Sequence, residues 1–213
     1  MTKLLAFRGD PLVTRERFLE EMNWHEDQDR VTQLTYGEFC NTENFRGCGV
    51  GCTINSLARI TGLKLNTSQH SICEDLVGFP EWLMRVHDTI FEGLPRKDAK
   101  LFPRQFSEAI NDGADLNKVK APFIIFILKH CRENAFDDGK AAIDTCIGLW
   151  QRVSEDCEVP EDAWSAARSA AWSAAWSAAW SAESAARSAA YRMYRNELLR
   201  LLRECVPQIT PQA

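Results

Sequence analysis

Apolar residues recur along this chain at helical rather than strand spacing, and they mark out a run of short helices followed by one long one. After a lead-in over residues 4–11, Thr14 caps a predicted helix to about residue 29, with Phe18, Leu19, Met22 and His25 sharing a face. Residues 31–44 are mixed and include a short extended piece at Val31, Leu34 and Tyr36. Next comes Gly47-Cys48-Gly49-Val50-Gly51-Cys52-Thr53, a tight turn feeding a helix over 53–60 that Gly62 stops. Residues 68–76, carrying His70 and Cys73, read as a short helix or turn. Pro80 opens a helix that buries Leu83, Val86 and Ile90 and ends at Gly93; a further helix over 103–111 is closed by Gly113. Asp115 caps a very apolar helix around 123–128, with Pro122 in its early part, and 141–153 forms another. Strand signals are sparse, so the fold class is mainly α.

From residue 163 the pattern changes to an alanine-rich repeat, Trp-Ser-Ala-Ala and its variants, ending in a Tyr/Arg/Leu tail. Alanine is the best helix former, and Pro160 before the repeat and Pro207 after it mark a start and a stop. A step of four residues advances about 400°, so a stripe of period four drifts by about 40° per repeat, and a three-residue step resets it. One face then carries Trp172, Trp176, Trp180, Glu183, Arg187, Tyr191, Tyr194 and Leu198. Tryptophans at this density on a nearly uncharged helix predict burial against a partner helix, and small alanine and serine positions allow close approach. The expected organisation is a compact helical domain over 1–154, a hinge over 155–162, one long Ala/Trp-repeat helix over 163–206 for oligomerisation or docking, and a tail over 207–213.

Composition narrows the function classes. The 213 residues are 45% hydrophobic and 26% charged, with no apolar run of membrane-spanning length and no leader pattern, so no membrane partner and a cytoplasmic location are expected. A formal net charge of −5 argues against coating nucleic acid. Arginines nevertheless concentrate at the end of the chain, and Arg187, Arg192 and Arg195 are candidate anion contacts. The eight cysteines read as reduced thiols, several of them core-filling.

The turn at residues 47–53 carries the candidate chemistry. A helix N-terminus there aims backbone N–H groups forward and lowers the pKa of a thiol placed on it. One reading is a thiol hydrolase with a papain-like turn: Cys48 as nucleophile, Gln33 as oxyanion donor, and His70, with His87 or His130 as other choices, as base. A second is structural zinc held by Cys40, Cys48, Cys52 and either Cys73 or His70. The third, and favoured, is a binding site without catalysis or cofactor, drawing on His25, Gln33, Cys48, Val50, Gly51, Cys52, Thr53, His70 and Glu92.

The turn, with Gly78-Phe79-Pro80, Ile90-Phe91-Glu92-Gly93-Leu94-Pro95, Pro103-x-x-Phe106 and Gly113-Ala114-Asp115-Leu116, resembles a family of uncharacterised bacterial and phage proteins. Those carry Gly-Cys-Ala-Val-Gly-Cys-Thr, an Ile-Phe-Glu-Gly-Leu-Pro segment and an alanine-rich C-terminal helix with aromatic repeats. The likeness spans residue 24 to the repeat helix, and His25 and Gln33 match positions upstream of the turn. The chain departs from it at Asn55, where a histidine is expected, and at Cys40 and Cys73, which have no counterpart; this weighs against both the hydrolase and the zinc readings. The resemblance implies a phage or prophage setting and a role in counter-defence. The expectation is therefore a non-enzymatic homo-oligomer that sequesters a small anionic, nucleotide-type signal or docks a host protein.

Overall fold

The computed structural model describes residues 4–35, 37, 44–133, 135–164 and 184–207. It is mainly helical, as the periodicity predicts, and among the described residues no strand forms beyond an isolated parallel bridge between Val31 and Gly47. The chain divides into two compact units, residues 1–117 together with 202–213, and residues 118–201. The division between them falls at Asn117.

The first unit contains α1 (Arg15–Asp27), α2 (Gly49–Thr61), α3 (Ile72–Val77), α4 (Glu81–Gly93) and α5 (Arg96–Ala109). Thr14 caps α1, its Oγ1 accepting the Arg17 N–H at 3.3 Å. Helix α2 begins four residues before the expected Thr53, because Cys48 serves as its N-cap and the sulfur accepts the Gly51 N–H at 3.4 Å. It packs against α1, α3, α4 and α5, and every residue from Gly49 to Ala58 is buried. Helix α5 starts at Arg96, with Pro103 inside it rather than at its head. A mid-helix proline costs about 3 kcal/mol. Phe102 and Phe106, one turn apart and fully buried, return roughly 1.5–3 kcal/mol each, enough to carry the helix through.

An aromatic chain ties these helices together. Phe79 meets Phe7 at 5.3 Å, Phe18 at 5.7 Å and Phe106 at 6.1 Å, and Phe106 meets His87 at 4.6 Å. The irregular lead-in is fixed by its backbone: Phe7 N–H donates to Val77 O at 2.8 Å, Asp10 N–H to Leu76 O at 2.9 Å, and Ala6 N–H to Ala114 O at 2.9 Å. At the other end of the sequence, the Asn111 amide donates to the carbonyls of Arg203 and Cys205 at 3.0 and 3.1 Å, and the Cys205 thiol donates to Asp115 O at 3.3 Å.

The second unit contains α6 (Lys120–Glu133), α7 (Asp137–Ser154), a helical segment at 161–164 and most of α8 (Ser184–Glu204). Helix α6 packs along α7, and the Arg132 guanidinium donates to both carboxylate oxygens of Asp144, at 2.6 and 2.9 Å. Trp150 meets Trp164 edge-on at 4.9 Å, and the Tyr194 ring lies 5.6 Å from His130. The middle of the predicted repeat helix, with Trp172, Trp176, Trp180 and Glu183, lies outside the described residues, and α8 itself has 21 residues. On α8 the predicted outward stripe is only partly a surface: Arg187 is exposed, Tyr191 and Tyr194 are half-buried, and Leu198 is fully buried by the chain itself. Among the described residues no helix is long and apolar enough to cross a membrane.

Two glycines test how tightly the lead-in is held. Gly62 (φ +75°) and Gly78 (φ +73°) both cap helices in the left-handed region, but a Cβ on Gly62 meets nothing within 4 Å, whereas one on Gly78 would overlap the Leu5 carbonyl. Gly62→Ala should cost about 1–2 kcal/mol, the left-handed strain alone. Gly78→Ala should cost about 1–3 kcal/mol more, from overpacking. Urea denaturation of the two variants measures the difference, and equal losses would mean the lead-in does not pack on α3.

Candidate functional site

Three side chains with ligand chemistry converge where the N-terminus of α2 meets α4, and a fourth stands beside one of them. Cys48 caps α2, while Asp88 and Glu92 are one turn apart on α4 and so share a face. The Cys48 sulfur and one carboxylate oxygen from each acid all lie within 4.8 Å of one another. His70, ahead of α3, brings Nε2 to 3.9 Å from Asp88 Oδ2. Its other ring nitrogen, Nδ1, is 3.1 Å from Ser68 O. A carbonyl oxygen can only accept, so Nδ1 carries the hydrogen, and Nε2 is the ring nitrogen on the Asp88 side.

Residues 30–35 hold the turn in place. Thr32 N–H donates to Gly47 O at 2.9 Å, Gly47 N–H to Arg30 O at 3.1 Å, and Cys48 N–H to Thr35 O at 2.6 Å. The Gln33 amide reaches the carbonyls of Phe91, Glu92 and Leu94 at 2.8, 3.3 and 2.9 Å, which satisfies the open C-terminal end of α4. Leu34 N–H points at both Glu92 carboxylate oxygens, at 3.1 and 3.0 Å. That aim requires Leu34 to adopt φ +68°, strained for a leucine, and leaves its side chain 90% exposed.

The electrostatics oppose ionisation of the thiol. Burial pushes Cys48 up to about 12; the Gly51 N–H pulls it down, and the Asp88 carboxylate raises it further. Glu92 is raised, first by burial, against the pull of the Leu34 N–H. Beside the cluster His87 is fully buried, stacked on Phe102 at 4.7 Å, with its Cε1–Nε2 edge against Gly49, where any Cβ would overlap it. Neither ring nitrogen has a hydrogen-bond partner among the described residues, and burial, then the charge of His70, lowers its pKa to about 3.

Of the residues singled out from sequence, Cys48, His70 and Glu92 meet here, and Gln33 stands behind them as a clamp on α4. Its amide hydrogens are committed to backbone carbonyls, so the oxyanion role expected in the hydrolase reading is taken up by structure. Val50, Gly51, Cys52 and Thr53 are packed inside α2; the Cys52 thiol donates to Gly47 O at 3.5 Å and the Thr53 hydroxyl to Gly49 O at 3.0 Å. The four-thiol zinc set does not assemble among the described residues. Cys40 lies outside them, Cys73 is a buried free thiol, and the groups beside Cys48 are carboxylates.

His25 sits elsewhere in the first unit, between Trp24 at 5.0 Å and Phe45 at 5.7 Å. His130, Arg187, Arg192 and Arg195 belong to the second unit. Asp88 was not anticipated. Its signal was an acid four residues before Glu92, a like-charge pairing that a plain helix avoids. Trp24 was also passed over, although the Arg30 and Arg59 guanidinium carbons lie 4.5 and 4.1 Å from its ring centroid. No family model, curated protein or solved structure matches the chain.

Two buried histidines make stability depend on pH. His25 is lowered to about 3, chiefly by burial and then by Arg59 and Arg30, and His87 to about 3, against an ordinary 6.5. Between those values the unfolded chain binds the proton and the folded chain does not. Stability is therefore complete above about pH 6.5 and falls as the pH drops toward 3, by about 2 kcal/mol per histidine at pH 5. Chemical denaturation at pH 7 and pH 5 measures it, and equal stabilities would show that these rings are not buried neutral.

The thiols should sort by exposure. With Cys48 near 12, only about one molecule in 10⁵ carries thiolate at pH 7. Iodoacetamide on the native chain should label exposed Cys157 and spare Cys48, Cys52 and Cys73, as read by peptide mass spectrometry. Rapid labelling of Cys48 would restore the nucleophile.

Proposed function

We propose that this chain is a non-enzymatic binding protein, with its ligand site in the first unit at the corner formed by Cys48, His70, Asp88 and Glu92. What carries this reading is the chemical state of Cys48. A nucleophilic thiol at a helix N-terminus needs a lowered pKa and a cationic partner, whereas burial and the Asp88 carboxylate hold the proton on this one, with Glu92 close by. Groups able to hold something converge there, while a group able to attack does not.

A second reading, a small anionic ligand of nucleotide type, is favoured by Trp24. Two guanidiniums over an indole bring cationic and aromatic surface together, with the buried imidazole of His25 alongside. Such a ligand belongs at Trp24 or at the arginines of α8 rather than between Asp88 and Glu92, whose charge repels it. Assembly through the Ala/Trp repeat is part of the proposal, since Trp172, Trp176 and Trp180 left in water would exceed the apolar patch a monomer tolerates.

Native mass spectrometry of the purified chain reads both parts. The expected result is an oligomer whose mass exceeds the sum of its chains, with the excess released unchanged on denaturation. A bare monomer that takes up nothing would overturn the reading.

A further inference from the structure

We propose, resting on the reading of this corner as a binding site, that Cys48, Asp88 and Glu92 bind one divalent metal ion of the zinc class, with water in the fourth position. Around a tetrahedral ion at about 2.0–2.3 Å, ligand atoms stand roughly 3.3–3.6 Å apart. The thiol and the two carboxylates are already within 4.8 Å of one another, and His70 Nε2 is 3.9 Å from the nearer acid. One thiolate and two carboxylates suit zinc or cobalt, whereas magnesium and calcium take oxygen ligands throughout.

The surroundings already orient these donors as an outer shell does. The Leu34 N–H holds the Glu92 carboxylate, and the His70 ring stands 3.9 Å from the Asp88 carboxylate. A separate observation points the same way. His87 is fully buried, both of its nitrogens lack partners among the described residues, and its Nε2 edge faces the first turn of α2 one residue from Cys48. Burying an imidazole in this way is costly unless something else satisfies it, and an ion with its bound water would give that edge a partner.

The chemistry balances simply. The metal replaces the thiol hydrogen, the S–H bond giving way to an S–metal bond, and one proton leaves to solvent for each ion bound. Three anionic donors around a dication leave the centre with a charge of −1, so it rejects small anions. The metal site and any nucleotide-type ligand site are accordingly different places.

The probe is Co²⁺, titrated into the reduced, metal-stripped full chain and then displaced by Zn²⁺. The expected result is one equivalent per chain and a near-ultraviolet sulfur-to-cobalt charge-transfer band that zinc abolishes. Cys48→Ser should lose the band, while Asp88→Asn and His70→Gln should weaken binding about tenfold or more. Cys157→Ser, at an exposed thiol of the second unit, should change nothing. Thermal melts of the metal-free variants confirm folding; should Cys48→Ser fail to fold, the near-isosteric Asp88→Asn carries the test.

A wild-type chain without the band overturns the proposal, as does a band that survives Cys48→Ser or an affinity unmoved by Asp88→Asn. An organic ligand seen by native mass spectrometry without the cobalt band would sink the metal and leave the binding reading standing. Uptake of neither ligand nor metal would sink both.

Discussion

A helix with no exposed face must find every one of its partners inside the protein, and α2 is such a helix from Gly49 to Ala58. Four other helices close around it, and each has to bring a shape and not merely an apolar surface. The glycine at its start is what α4 and α5 exploit. Because Gly49 has no side chain, the edge of His87 and the ring of Pro103 come up against the first turn. His87 in turn stacks on Phe102 and abuts Phe106. The histidine must stay uncharged for this packing to hold, so the arrangement of the core and the protonation of one ring are a single constraint.

The same constraint decides the behaviour of the neighbouring thiol. A helix N-terminus ordinarily favours thiolate, through its partial positive charge and its open N–H groups. Here desolvation opposes that effect, and the Asp88 carboxylate adds to the opposition. The net result lies well above an ordinary thiol, so burial and the adjacent charge outweigh the dipole. A turn whose sequence reads as a nucleophile's therefore keeps its thiol protonated.

Much of the fold was legible from periodicity because most first-unit helices are amphipathic and carry clear stops, such as Gly62 after α2 and the Gly78-Phe79-Pro80 break before α4. Errors arose where a tertiary partner overruled a local signal. Pro103 reads as a helix start, but the burial of Phe102 and Phe106 carries α5 across it. Gly49 and Gly51 read as loop, but Cys48 caps them into helix. The division at Asn117 had no composition signal, since it falls beside an apolar, well-formed stretch and not in a linker. As for the site, Cys48, His70 and Glu92 could be named because each has a distinctive neighbourhood in the sequence. Asp88 could not, since an acid on an amphipathic helix looks like any solvated charge until the facing element is known. Gln33 was named for the wrong reason, and its role depends on where α4 ends.

The first unit is made from both ends of the sequence. Its closing contacts, from Asn111 and Asp115 to Arg203 and Cys205, join residues about ninety positions apart, with 118–201 intervening. This bears on how the protein is born. A ribosome adding about 5–20 residues each second would deliver residues 202–205 on the order of ten seconds after residue 117. Throughout that interval the Asp115 carbonyl and the Asn111 amide wait for the groups they meet in the folded unit, and the intervening residues are synthesised before that unit can be completed.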